Sequence, residues 1–205
     1  MENPIVKLVQ ADNKVLNLVA KVIPTEEIVS EETQYLIKHM FVVARGKQGD
    51  SRYPTLVGLA APQIGVSKRV VVIGLDATGD GKQPELQAFI NPEIIKYSKD
   101  KEEGREGCFS TGRVCGIVER SKSVRLRAYN VKGQIVEFNV VGFPARVAQH
   151  EIDHLDGIRF PDRINDDSKL HWVEEAEFGE YRLNWQNWPV NCPREKWGAV
   201  KNGNN

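Results

Sequence analysis

The alternation of apolar and polar positions marks out most of the elements. Residues 28–45 read as a helix, with Ser30 placed to cap it, Glu31 and Glu32 in its positive first turn, and Leu36, Ile37, Met40, Phe41 and Ala44 recurring at helical spacing. Residues 46–55 form a polar, glycine-rich loop, and the run Leu56 to Gly65 that follows is small and apolar apart from Gln63. Strands are expected at 69–75, 86–91, 93–98, 123–130 and 135–141. The last two alternate with period two, and Asn130 to Gly133 supplies a hairpin turn between them. The acids of 76–85 resemble a calcium loop, but Gln87 stands where such a loop needs its closing glutamate, so an ordinary turn is expected. Residues 143–155 predict a second helix. At about 100° per residue, Phe143, Val147, Ala148, His150, Glu151, Ile152, His154 and Leu155 share one broad arc, with Arg146, Gln149 and Asp153 opposite. This helix is expected to be mostly buried, with both histidines inside the apolar arc.

Beyond residue 162 the pattern changes. All four tryptophans (172, 185, 188, 197) fall there, with no clear strand signal, so the expectation is a catalytic domain over 1–162 and a Trp-rich extension over 163–205 packed on it, its final residues Gly198–Asn205 frayed. Lys and Arg number six in the extension and Asp and Glu seven, so it is not a basic tail.

Composition narrows the class. Lys+Arg and Asp+Glu both number 28, and this balance gives no electrostatic case for nucleic acid or an acidic membrane as partner. No apolar run approaches the roughly 18 residues of a membrane span, and polar residues interrupt any signal-peptide pattern, so a cytoplasmic location is expected. Three cysteines (108, 115, 192) make no disulfide framework; in a reducing compartment Cys115 and Cys192 read as small fillers or exposed thiols. His39 and His171 read as ordinary polar residues, and Asp153 and Asp156 as supports rather than ligands.

The chemistry gathers on His150-Glu151-Ile152-Asp153-His154. Residues four apart lie one turn apart on one helix face, so both imidazoles can reach one ion, and the adjacent glutamate can serve as general base. Two buried imidazoles and a carboxylate are costly unless paired or coordinated. A catalytic site needs a third protein ligand and an open position. A histidine six residues after His154 would fit one metallopeptidase pattern, but Phe160 stands there. Glu174, Glu175 or Glu177 would suit a gluzincin-like peptidase, and Cys108, beside the small Gly107, is the other candidate.

Three segments in order resemble the peptide deformylases. Leu56-Val57-Gly58-Leu59-Ala60-Ala61-Pro62-Gln63 matches the family's G-x-G-L-A-A-x-Q, Glu106-Gly107-Cys108-Phe109-Ser110 its E-G-C-L-S, and His150 to His154 its H-E-x-D-H. The resemblance covers roughly residues 5–163. It implies an α+β fold, with mixed or antiparallel sheets around a central buried helix carrying the two histidines. It implies a divalent ion on Cys108, His150 and His154, with Glu151 as general acid/base. Gln63 and the backbone N–H of Phe109 would hold the formyl oxygen. Val57, Gly58, Phe143 and Val147 would line the peptide groove, with Gly58, Ala60 and Ala61 letting an extended peptide approach the backbone. The substrate would be an N-formylmethionyl peptide, and a transient ribosome association is the partner the family suggests. Fe²⁺ is the implied cellular ion, while Zn²⁺, Ni²⁺ or Co²⁺ suit purified protein.

The departures bear on substrate range. Leu56 replaces the first glycine of its motif and is expected to narrow the groove entrance. Phe109 replaces leucine, Thr111-Gly112 replaces an apolar residue and proline, and Glu119 precedes Arg120 where proline is common. A metal-binding homologue that has lost turnover is the third reading, beside deformylase and gluzincin.

Overall fold

The computed structural model describes residues 7–46 and 55–204, so most of the loop expected over 46–55 lies outside the described residues. Helix α1 (Glu31–Ala44) starts as its sequence predicts, with the Ser30 hydroxyl accepting from the Thr33 N–H at 3.3 Å. The strands are β1 (Gly58–Ala60), β2 (Val70–Gly74), β3 (Leu86–Tyr97), β4 (Lys101–Gly107), β5 (Val114–Ser121), β6 (Ser123–Tyr129) and β7 (Ile135–Val141). Helix α2 (Phe143–Leu155), strand β8 (Leu170–Trp172) and helices α3 (Phe178–Asn184) and α4 (Arg194–Asn202) complete the chain.

The architecture is α+β, with two antiparallel sheets: five strands in the order β1-β2-β3-β6-β7, and three in the order β4-β5-β8. Strand β2 reads Val-Val-Val-Ile-Gly without alternation because both of its faces are covered. Val70 and Val72 join the core beneath α1 with Leu36, Ile37 and Met40, while Val71 and Ile73 join the core beneath α2 with Val147, Ile152 and Leu155.

The side of α2 opposite the apolar arc is buried too, and it docks on the small sheet through polar bonds. The Gln149 amide bonds both the N–H and the carbonyl of Ser121, Arg146 donates to the carbonyls of Glu102 and Val118, and Asp153 accepts from Arg120 at 2.6 Å. The helix is therefore held between two sheets, one side by apolar packing and the other by hydrogen bonds.

Four expectations change. Segments 86–91 and 93–98 form one strand, because Pro92 falls at an irregularity in the pairing with β6 where its missing N–H costs nothing. Asn91, at φ +49°, ties that kink to both backbone groups of Ile23. Strands β1, β4 and β5 were not among those expected; in β4, KEEGREG is an exposed edge and carries no apolar period. The extension beyond 162 contains a strand, β8, which pairs with β5, and two helices; Trp188 and Trp197 are buried. Gly198–Asn202, expected to fray, complete α4, whose end Gly203 caps in the left-handed region, whereas Asn205 lies outside the described residues.

The turns behave as read. Asn130 accepts from the backbone of Lys132 and Gln134, and in the acidic loop Asp76 and Asp80 accept from the backbone of Glu85 and Lys82.

Candidate metal centre

His150 and His154 sit one turn apart on α2, their ring centroids 4.9 Å apart and nearly perpendicular. Cys108 comes from the end of β4, where Phe109–Thr111 form a 3₁₀ turn. Among the described residues, Cys108, His150 and His154 bring one ligand atom each within 4.8 Å of one another. The Cys108 Sγ lies 3.4 Å from His154 Nε2. One thiolate and two imidazoles are the donor set of a tetrahedral site with one open position.

The alternative third ligands are elsewhere. Glu174 is paired with Arg113 at 2.9 Å and accepts from the Trp172 indole at 2.7 Å, and Glu177 accepts from the Glu174 N–H.

Two further features fit a cation in this cradle. His150 Nδ1 is 2.9 Å from Glu106 Oε2, which leaves its other ring nitrogen for an ion. Glu151 Oε2 and His154 Nδ1 are buried polar atoms without a hydrogen-bond partner among the described residues. Burial opposes charge on His150, but its bonds to Cys108 and Glu106 outweigh this and hold its pKa well above the usual value. Burial, with His150 and Arg159 nearby, pushes His154 well below it. Burial also raises Glu151 to about 7, with His150 opposing and Glu106 adding to the shift.

Glu106 is the residue whose part the sequence did not disclose. Arg120 grips both of its oxygens at 2.9 and 3.0 Å, and Arg146 reaches it at 3.0 Å. These cations and His150 outweigh its burial and hold the carboxyl well below the usual carboxylate range. Asp153 extends the network by pairing Arg120 and Arg163. Asp156, by contrast, pairs with Arg69 at 2.7 Å.

The Gln63 amide has one orientation available. The backbone N–H of Ala60 can only donate, so the Gln63 oxygen accepts it at 2.8 Å and the NH₂ group faces the Cys108 Sγ at 3.2 Å and the Ser110 hydroxyl at 3.3 Å. Phe109 opens the adjacent turn and is 38% exposed.

On the groove side, a Cβ on Gly58 would lie 2.5 Å from Glu151 Oε1 and 2.7 Å from Val147 Cγ1, so only glycine fits there. Val57 and Phe143 are half-buried against the same core as Val147. Ala60 and Ala61, expected along the peptide path, are fully buried instead. Leu56 also departs from expectation. Its side chain packs with the α1 core beside Phe41, while Val57 turns to the α2 side, because successive residues of an extended chain face opposite ways. Leu56 therefore does not narrow the groove.

His171 is buried and bonds the Tyr181 hydroxyl at 3.0 Å, and Cys115 and Cys192 are buried fillers.

The polypeptide deformylase family model matches residues 5–170. A peptide deformylase of Desulforudis audaxviator is 52% identical over 109 residues, covering 52% of this chain and 66% of that one. One of Thermomicrobium roseum is 39% identical over 152 residues, covering 73% and 82%. Among solved structures, the Acinetobacter baumannii class I type b peptide deformylase with Met-Ala-Ser bound superposes with a TM-score of 0.68 at 32% identity, covering 78% of this chain and 98% of that one. A Thermotoga maritima peptide deformylase gives 0.66 at 33%, with the same coverage.

Proposed function

The chain belongs to the polypeptide deformylase family and is a metal-dependent hydrolase of peptide formyl groups; on that premise we propose that it removes formate from the N-terminal formyl-methionine of nascent polypeptides in the cytoplasm. The observation that carries the residue assignment is the convergence of Cys108, His150 and His154, with the Glu151 carboxylate buried beside them.

Cys108, His150 and His154 would hold the divalent ion, which would supply Lewis acidity and lower the pKa of water towards neutrality. Glu151 takes the proton from the attacking water and delivers it to the amine nitrogen as the C–N bond breaks, so formate and a free N-terminus leave. The Gln63 NH₂, oriented by Ala60, donates to the oxygen that gains negative charge, and the Phe109 backbone N–H is its second donor. Glu106 fixes the ring of His150. The peptide adds as a strand beside β1, one of the two edge strands of the large sheet among the described residues, with Gly58 admitting its backbone and Val57, Phe143 and Val147 receiving the methionine side chain. The Met-Ala-Ser bound by the Acinetobacter protein supports a methionine-led peptide.

The central helix with its H-E-x-x-H pattern is the scaffold of this reading. Residues 1–162 form its catalytic unit and 163–205 an extension packed on it. Any ribosome contact is transient.

Fe²⁺ is the working ion. Zinc binds more tightly in the Irving–Williams order, so the iron assignment rests on the family resemblance. Apo-protein reconstituted without oxygen and assayed for formate release from formyl-Met-Ala-Ser tests this. The Fe²⁺ form should be much faster than the Zn²⁺ form and decay in air as Cys108 oxidises, with Ni²⁺ or Co²⁺ active and stable. Equal iron and zinc rates would refute the iron assignment. Retained metal-dependent activity in Cys108→Ser would refute the ligand set.

A further inference from the structure

Arg159 has no exposed surface, the least of any described cation, yet among the described residues no carboxylate hydrogen-bonds its guanidinium. Its Nη1 donates to the carbonyls of Ala11 at 2.5 Å and Ser110 at 3.0 Å, and its Nη2 to the Asn17 side chain at 2.8 Å. Its carbon centre lies 4.8 Å from the ring centroid of Trp197 on α4. Trp197 is itself 2% exposed. Its indole N–H donates to Asp162 at 3.0 Å, and Lys201, one turn further along α4, holds the other oxygen of that carboxylate at 2.8 Å. A buried charge is costly unless its partners are well placed, and here the partners lie in three separate stretches of chain.

One of those stretches is the turn that carries the cradle. Ser110 is two residues from Cys108, its hydroxyl meets the Gln63 amide, and its carbonyl is the group that Arg159 holds. Thr111 ties the same turn from within, donating to the Cys108 carbonyl at 2.8 Å. Arg159 is therefore one link from the turn to the rest of the molecule, beside the Ser110–Gln63 contact, and the face of Trp197 covers it. Trp197 lies beyond residue 170, where the match to the family model ends.

We propose that α4 is a working part of the active site: Trp197 stacks on Arg159, and Arg159 holds the Ser110 carbonyl so that Cys108 and Gln63 keep their positions. Both are positioning residues; neither touches the reacting atoms. The inference rests on the assignment of Cys108 as a ligand and Gln63 as a donor.

The test uses the full chain reconstituted with Co²⁺, whose visible spectrum reports the geometry of the thiolate and imidazole ligands independently of turnover. Trp197→Ala should lower kcat on formyl-Met-Ala-Ser by ~10- to 100-fold, the loss a small misplacement remote from the chemistry produces, at a temperature well below its melting transition. KM should change little, and the cobalt spectrum should shift. Trp197→Phe keeps a ring face over the guanidinium and should restore both kcat and spectrum. Arg159→Lys keeps the buried cation but not the planar fork that holds Ala11, Ser110 and Asn17 at once, so it should reproduce the loss and the shift. It also serves as the test should Trp197→Ala not fold. A lowered melting temperature with wild-type kcat and spectrum in either variant would overturn the proposal. A wild-type protein that releases no formate, but whose cobalt spectrum still shifts in these variants, would refute the functional reading and leave the positioning role standing.

Discussion

Glu151 is both buried and poised to exchange a proton. It is 4% exposed, one of its oxygens has no hydrogen-bond partner among the described residues, and burial raises its pKa to about 7, the range in which a group can both accept and return a proton at neutral pH. Its carboxylate is not among the three converging ligand groups. Glu151→Gln should therefore retain a full equivalent of metal and lose nearly all formate release; substantial turnover would remove Glu151 from its role. Gln63 differs in kind, because its oxygen is consumed by the Ala60 N–H and only its NH₂ group is left for chemistry. Gln63→Leu should lower kcat by ~10²–10³ with metal retained. A change confined to KM would make it a binding residue.

Among the elements, α2 was the most legible and β4, an edge of charged residues, the least. The apolar arc of α2 marked the helix, its bounds and the placing of its histidines, but it assigned no partner to the polar side, which is a second docking surface. Hydrogen bonds to a sheet leave no period in the sequence. At β1 the motif comparison made Leu56 a groove residue, whereas the alternation of an extended chain sends it to the α1 core. Leu56→Gly should accordingly cost about 2 kcal/mol of stability through lost burial and change kcat/KM equally for a formyl-methionine amide and a longer formyl peptide. A gain limited to the longer peptide would return Leu56 to the groove.

Across the whole molecule, Glu106 joins the small sheet to α2 and to the His150 side of the cluster. Its carboxylate binds Arg120 on β5 and Arg146 and His150 on α2. Its pKa is lower in the folded protein than its usual value of 4.5. The folded state therefore binds fewer protons than the unfolded chain, and the stabilisation is full above that value and lost as pH falls below it towards the folded pKa. Acid unfolding should steepen below pH 4.5. Glu106→Gln should flatten that dependence while costing about 3–5 kcal/mol at neutral pH, since it leaves buried guanidinium groups uncompensated. Parallel acid titrations of wild type and variant, followed by circular dichroism, check both statements; an unchanged slope would show that other carboxylates govern the acid limb.

Sequence alone determined what local rules govern. The cap of α1, the spacing of α1 and α2, the hairpin turn, the strand periods of β6 and β7, and the i, i+4 placing of His150 and His154 all follow from contacts within a few residues. Three ordered motifs then pointed to the family and to Cys108. Tertiary structure decided what depends on distant chain segments meeting. It brought Cys108, at the end of β4, to the histidines of α2 while Glu174 pairs with Arg113, and it supplied the Glu106–Arg120–Asp153 network. It turned an edge strand of charged residues into half of a pair, and it seated Trp197 on Arg159. Charged and aromatic residues at such positions satisfy partners 14 to 49 residues away or further, so their spacing along the chain carries no signal of the bond they make.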